Sequence, residues 1–377
     1  MVSIEVGRGP ASIEPERVVK TPGGQADAEL MGPAATSPSL AGQPAAGRLP
    51  APRQTHNGHA NHGHAEAAWP LTVRMAFAPV PPAPGAAAAF TWRLAHEHYE
   101  NFSVVSALLP RRLRQDFCNV YAFCRIADDL GDEVADRDTA LQLLDRFRDQ
   151  TELMYAGQPG SIVFAALAET VAKYSIPARP FLDLIDAFEQ DQRVDRYDTF
   201  DAVRDYCRRS ADPVGRLVLY MAGYRDEHRQ RLSDCTCTAL QLANFWQDVR
   251  RDILDRDRIY LPRETMDRFG VTEAQLRAGR ASDGYRAAIR FECDRASDLL
   301  DQGEGLLPLL DDGVRPQVSL FGQGGRAILS AIRGQGYDTL ARRPTVSRWS
   351  KGQLVLRAMA GRLRQIVERD MHGEGSA

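Results

Sequence analysis

From about Ala87 onward, apolar side chains recur every three or four residues, almost without a break, for roughly 290 residues. Nowhere does the chain alternate apolar and polar residues as a strand would. This periodicity restricts the fold to packed helices, and the expected class is all-α. Leu113, Phe117, Val120, Tyr121, Cys124 and Ala127 fall at such steps just after Pro110, which predicts a helix start and one buried stripe. The same spacing predicts helices over 140–155, 162–173, 180–190, 200–210, 213–222, 236–254, 285–307 and 326–333.

The N-terminal quarter reads differently. Its first 68 residues hold no aromatic side chain, and the first 90 hold 13 of the 22 prolines. Such a segment buries too little apolar surface to offset the entropy of ordering it, so residues 1–86 are expected to be a disordered, low-complexity extension. His56, His59, His62 and His64 within it are expected to be part of a polar tail and not a metal trap. Residues 87–348 form the expected helical domain. A last stretch, 349–377, contains an amphipathic helix over 351–371 with Leu354, Val355, Leu356, Leu363, Ile366 and Val367. Its basic residues suit either docking on the domain or contact with an anionic membrane surface.

Charge excludes a further class. With 47 basic and 50 acidic residues the net is −3, so bulk electrostatics gives no case for nucleic acid as a partner. No secretory leader is read, and the six cysteines have no paired spacing. Reduced thiols in a cytoplasmic setting are therefore expected. The best uncharged stretch, 75–92, carries four prolines and a glycine and cannot span a bilayer.

The chemical signal lies in two acidic segments. In Tyr121-Ala-Phe-Cys-Arg125-Ile-Ala-Asp128-Asp129-Leu-Gly-Asp132-Glu133, four acids occupy six positions, with Asp128 and Asp132 one helical turn apart. At about 6 Å and an effective dielectric near 20, each like-charged pair costs about 2 to 3 kcal/mol, so a cleft built here needs protons or a cation. Mg²⁺ fits best, because it takes hard oxygen ligands and shares them with phosphates. The second segment, Gln241-Leu-Ala-Asn244-Phe-Trp-Gln-Asp248-Val-Arg-Arg-Asp252, sets Asn244, Asp248 and Asp252 on one stripe after an apolar approach through Leu240, Leu242 and Ala243. Each segment has arginines beside it: Arg125 in the first, Arg250 and Arg251 in the second. Together they predict a paired metal-diphosphate site.

These segments resemble the aspartate-rich motifs of the squalene and phytoene synthase family, head-to-head prenyl-diphosphate condensing enzymes. The resemblance extends over about His96 to Arg348. It includes Tyr-Ala-Phe-Cys-Arg before the first motif, Asp205-Tyr206-Cys207 and Pro213-Val-Gly215 mid-chain, and Arg258-Ile-Tyr260-Leu-Pro262 after the second. It implies an isoprenoid-synthase helical bundle around a central cavity, with Asp128, Asp132, Asn244, Asp248 and Asp252 holding Mg²⁺. Tyr121, Arg125, Gln241, Arg251 and Tyr260 are implied around the diphosphate, and Tyr206 beside the reacting cation.

Within the family the chain is most similar to the hydroxysqualene synthase (HpnC) branch of bacterial hopanoid pathways. Two departures from the other branches carry this. His98-Tyr99-Glu100-Asn101-Phe102-Ser103 stands where a serine-rich stretch is usual, and Gln247 where many relatives have arginine. Both remove groups suited to a second diphosphate. The implied reaction is ionisation of presqualene diphosphate, rearrangement and capture by water, with Glu100 or Asn101 positioning the water and no requirement for NADPH. The only glycine-rich run, Phe321-Gly-Gln-Gly-Gly-Arg326, lacks the pattern of a dinucleotide fingerprint and is expected to pack helices or form a loop. Two alternatives stay open: full condensation of two prenyl diphosphates such as farnesyl diphosphate, and a noncatalytic lipid-binding or assembly factor of the same fold. A C30 substrate and product also suggest peripheral membrane contact.

Overall fold

The computed structural model describes residues 69–81, 83–98 and 109–346, which belong to one compact unit. The histidine tract, residues 99–108 and the helix expected over 351–371 lie outside the described residues. Among those described, helices account for nearly all regular structure. No strand forms, and a single β-bridge joins Arg196 to Ile259. The all-α expectation holds. Among the described residues no helix is long and apolar enough to cross a membrane.

In chain order the helices are α1 (Leu71–Met75), α2 (Ala86–His98), α3 (Arg114–Asp132, entered through a 3₁₀ turn), α4 (Arg137–Tyr155), α5 (Ile162–Tyr174), α6 (Arg179–Asp191) and α7 (Phe200–Ser210). They continue with α8 (Asp212–Ala222), α9 (Glu227–Asp255), α10 (Arg263–Arg268), α11 (Glu273–Ala278), α12 (Asp283–Gly303) and α13 (Arg315–Gly334). Their starts follow local chemistry. Asp136, Thr199, Asp226 and Ser282 accept from backbone N–H groups of the first turns of α4, α7, α9 and α12, and Thr272 with Gln275 closes a capping box on α11.

Two helices organise the rest. The spacing predicted one buried stripe on α3. Instead Cys118, Ala122, Phe123, Ile126 and Leu130 are buried as well, because α2, α4, α5, α6 and α8 all pack on it. Phe123 sits in an aromatic cluster with Phe147 at 5.0 Å and Phe181 at 4.9 Å between centroids. The other is α9, 29 residues long, against which α8, α12 and α13 lie. Gly325, inside the glycine-rich run, lets α13 approach closely: a Cβ there would stand 2.9 Å from Leu240 Cδ2. The run is thus a helix-packing element.

The domain boundary needs correction. Residues 71–75, placed by composition in the extension, form α1, with Thr72 and Val73 buried. The Thr72 hydroxyl donates to the Asp129 carboxylate on α3, and Ser161 Oγ donates to the carbonyl of Ala76 at 3.0 Å. Trp69, Val73 and Phe77 bring apolar area that the proline-rich flanks hide from a composition count. Trp69 therefore already belongs to the folded body.

Candidate active site

Both acidic motifs stand at helix C-termini. Asp128 and Asp132 close α3, and Asp248 and Asp252 lie near the end of α9, with no basic residue in the last turn of either helix. Carbonyl ends of helices carry negative partial charge, so carboxylates there are doubly disfavoured until a cation joins them. Asn244, one turn before Asp248, completes the stripe.

The two ends converge on one cavity of about 250 Å³. Its wall includes Arg125, Asp128, Asp132, Gln241, Asn244, Asp248, Arg251, Asp252, Tyr206 and Tyr260. Ten of the residues expected from sequence thus meet in one place. Arginines neutralise the acids in part. Arg125 pairs with Asp129 at 2.5 Å and Asp128 at 3.6 Å, and Arg256 with Asp132 at 2.8 Å. Arg343 forks onto both oxygens of Asp248 at 2.5 and 2.8 Å. The pairing is incomplete. Burial, then the neighbouring Asp128, raises the Asp132 carboxyl to about 6; burial and Asp248 raise Asp252 to about 8. Among the described residues no three His, Cys, Asp or Glu side chains are gathered tightly enough to hold a metal unaided.

Sequence reasoning missed several members of this wall, four of which bear on its charge balance and hydrogen bonding. Asp191, at the end of α6, accepts from Tyr206 at 2.7 Å and from Tyr260 at 3.3 Å. Arg258 donates to the Asp191 carbonyl at 2.8 Å and reaches Asp132 at 3.5 Å. Arg256 and Arg343 are the others. Arg258 stood inside a quoted motif, and that was its only signal. Tyr206 and Tyr260 are buried. Tyr260 stacks on Phe245 at 3.7 Å and 7°, with Tyr206 tilted beside them at 5.6 Å. Burial and then Asp191 push both phenols well above their ordinary range, so they stay protonated.

Two expectations change. Tyr121, expected at the diphosphate beside Arg125, instead lines a second, apolar pocket. It shares a face of α3 with Arg125, one turn or about 5.4 Å along the helix, which sets it where the apolar pocket meets the charged cavity. Gln247 does not leave the acid cavity short of a cation, because Arg343 lines it instead. Gln247 is buried, and Arg343 donates to its Oε1 at 3.2 Å while holding Asp248. Glu100 and Asn101 lie outside the described residues.

The apolar pocket is lined by Phe117, Val120, Tyr121 and Cys124 of α3, Val214, Gly215 and Val218 of α8, and Thr236, Cys237 and Leu240 of α9, closed by Leu306, Val318 and Phe321. On α3 and α9 the change from one pocket to the other takes a single residue, Cys124 to Arg125 and Leu240 to Gln241.

Known proteins are similar to this chain in sequence and fold. The squalene/phytoene synthase family model matches residues 95–350. The 15-cis-phytoene synthase of Synechococcus elongatus is 31% identical over 267 residues, 67% of this chain and 85% of that protein. The hydroxysqualene synthase of Zymomonas mobilis is 34% identical over 221 residues, 56% of this chain and 71% of that one. The crystal structure of squalene synthase HpnC from Alicyclobacillus acidocaldarius is 46% identical, covers 73% of this chain and 99% of its own, and superposes with a TM-score of 0.64. With both acidic helix ends on one cavity and the match running through all of them, the chain belongs to the squalene/phytoene synthase family.

Proposed function

We propose that this chain ionises presqualene diphosphate and lets water capture the rearranged cation, giving hydroxysqualene. The observation that carries the reading is the change from acid wall to apolar wall within one residue on both α3 and α9, which fits a molecule with a diphosphate head and hydrocarbon arms. The likeness to HpnC and to the hydroxysqualene synthases of Zymomonas mobilis and Rhodopseudomonas palustris supports the branch.

The donor set suits Mg²⁺. Asp128, Asp132, Asn244, Asp248 and Asp252 offer hard oxygens, and Asn244 Oδ1 is buried with no hydrogen-bond partner. Mg²⁺ is ordinarily held by one or two carboxylates and completed by phosphates and water, so a preformed protein cage is not required. Bound there, it would act as a Lewis acid on the leaving diphosphate. Arg125, Arg251 and Arg343 bring guanidinium forks to the same head group. Tyr206, Tyr260 and Phe245 present ring faces able to stabilise a cation, and the apolar pocket shelters the prenyl arms from water. Asp191 fixes the two tyrosine hydroxyls, so the rings hold their orientation as charge develops.

A second reading, full condensation from two farnesyl diphosphates, is favoured by Arg343, which supplies the cation that Gln247 does not. The test is product analysis with Mg²⁺, offering presqualene diphosphate or farnesyl diphosphate alone, with and without NADPH. The proposal expects hydroxysqualene from presqualene diphosphate, independent of NADPH, and no C30 product from farnesyl diphosphate alone. A C30 product from the latter establishes the second reading.

A further inference from the structure

We infer that Ser210 holds the water that ends the reaction, an inference that rests on the hydroxysqualene reading. Ser210 is the last residue of α7, one turn beyond Tyr206, and both side chains belong to the wall of the acid cavity. It is 3% exposed, and its Oγ has no hydrogen-bond partner. A serine in a helix commonly returns its hydroxyl to the carbonyl four residues back, and here it does not. A buried polar group left unpaired is costly, and such groups persist where a ligand completes them.

The other unpaired polar atoms of this wall suit other parts of the substrate. Asn244 Oδ1 suits a metal, and Arg125 Nε and Arg258 Nε suit phosphate oxygens. Ser210 is the sole hydroxyl among them, among the described residues. A hydroxyl both accepts and donates, which is what holding a neutral water requires. Water attacks a cation through a lone pair, so its hydrogens must point away from the carbon. Ser210 Oγ would accept one of them, and Gln241 Oε1, another unpaired acceptor in the same wall, would accept the second. One C–O bond forms between the water oxygen and the cationic carbon. The proton then lost passes to the diphosphate released at ionisation, and no oxidant or reductant is consumed. The neighbouring Tyr206 ring places the site beside the face expected to carry the positive charge.

Lacking an ordered water, the same cation ends by losing a proton to give a C30 polyene. The experiment is product partition from presqualene diphosphate and Mg²⁺, by mass spectrometry, for wild type, Ser210→Ala and Ser210→Thr, with total diphosphate release and thermal melting measured alongside. In Ser210→Ala the alcohol's share of C30 products should fall at least about fivefold in favour of polyene, the factor expected for one lost hydrogen bond. Ser210→Thr, which keeps the hydroxyl, should restore it. Ser210→Ala with an unchanged alcohol share overturns the assignment, as does a Ser210→Ala enzyme in which alcohol and polyene fall together. A wild-type enzyme that forms no alcohol from presqualene diphosphate overturns instead the reaction on which it rests.

Discussion

The acid cavity and the apolar pocket are built by the same two helices, yet they differ in how far their groups are satisfied. In the apolar pocket the chemistry is quiet. Burial pushes the Cys124 thiol up to about 12 and moves Cys237 in the same direction, so both behave as small apolar groups. In the acid cavity, carboxylates lean on guanidiniums that cover only some of them, and amide and hydroxyl oxygens are left unpaired. One region is already a finished shape, and the other is a set of competing demands that a charged ligand resolves. A site whose local rules are broken while its surroundings obey theirs is where function is expected.

The sharpest way to break this contrast is to remove the charge from the acid side. Asp128→Asn and Asp248→Asn should each lower Mg²⁺-dependent diphosphate release by about 10²-fold or more, the scale on which such electrostatic groups act. Both variants should stay folded, because each replaces a charged oxygen donor with a neutral one of equal size. Variants that release diphosphate at the wild-type rate would remove the enzymatic reading and leave a lipid-binding factor.

Sequence reasoning reached these aspartates for a definite reason: each set lies on one helix, where spacing alone gives the shared face. It failed where contact depends on chain crossings. Arg343 lies 95 residues from Asp248, and Arg258 lies 67 from Asp191, distances over which no periodicity speaks. Spacing alone did not put Tyr121 in the apolar pocket, because a helical face gives direction but not depth. Helices 200–210 and 213–222 were read within a residue, since Thr199 caps the first and Pro213 opens the second. The segment around Trp69 was lost because its prolines outweighed a few anchoring side chains.

A smaller effect separates the walls of the acid cavity itself. Asp191 binds both tyrosines and faces Arg258 at 3.6 Å. Asp191→Asn keeps an acceptor but loses the charge, freeing Arg258 to move toward Asp132. We expect kcat to fall about tenfold with KM nearly unchanged, because the loss concerns cation stabilisation more than ground-state binding. A raised KM with kcat unchanged would make Asp191 a binding residue instead.

On the apolar side the expected change is in KM and stability. A Cβ on Gly215 would stand 2.3 Å from Ser233 Oγ and 2.5 Å from Cys237 Sγ, two side chains of the pocket wall. Gly215→Ala therefore forces them aside at a cost of about 1 to 3 kcal/mol, and should raise KM several-fold while leaving the Mg²⁺ requirement intact. An altered Mg²⁺ requirement would show that the two pockets do not divide the substrate as proposed.

The smallest effect concerns a carboxylate shifted like Asp252 but standing outside both pockets. Burial, then Asp234, raises Asp212 to about 8 from an ordinary value of 3.8, and the Thr238 hydroxyl donates to it at 2.8 Å. Because its folded pKa lies above the unfolded one, the fold favours the protonated form. Asp212 costs nothing while both states are protonated, near and below pH 4. The penalty grows as pH rises from about 3.8, where the unfolded group gives up its proton, and levels off above about 8, where the folded group ionises too. Asp212→Asn keeps the acceptor for Thr238 and cannot ionise, so its Tm should equal wild type below about pH 3.8 and exceed it by several degrees at pH 8.5. The comparison with Asp252 then becomes direct. Mg²⁺ and a diphosphate should change the stability of wild type and Asp212→Asn by the same amount, since the shifted acid at 212 has no part in binding them. A ligand-induced gain that shrinks in Asp212→Asn would mean that the charged site extends through α8, and that the division between a frustrated region and a finished one is drawn in the wrong place.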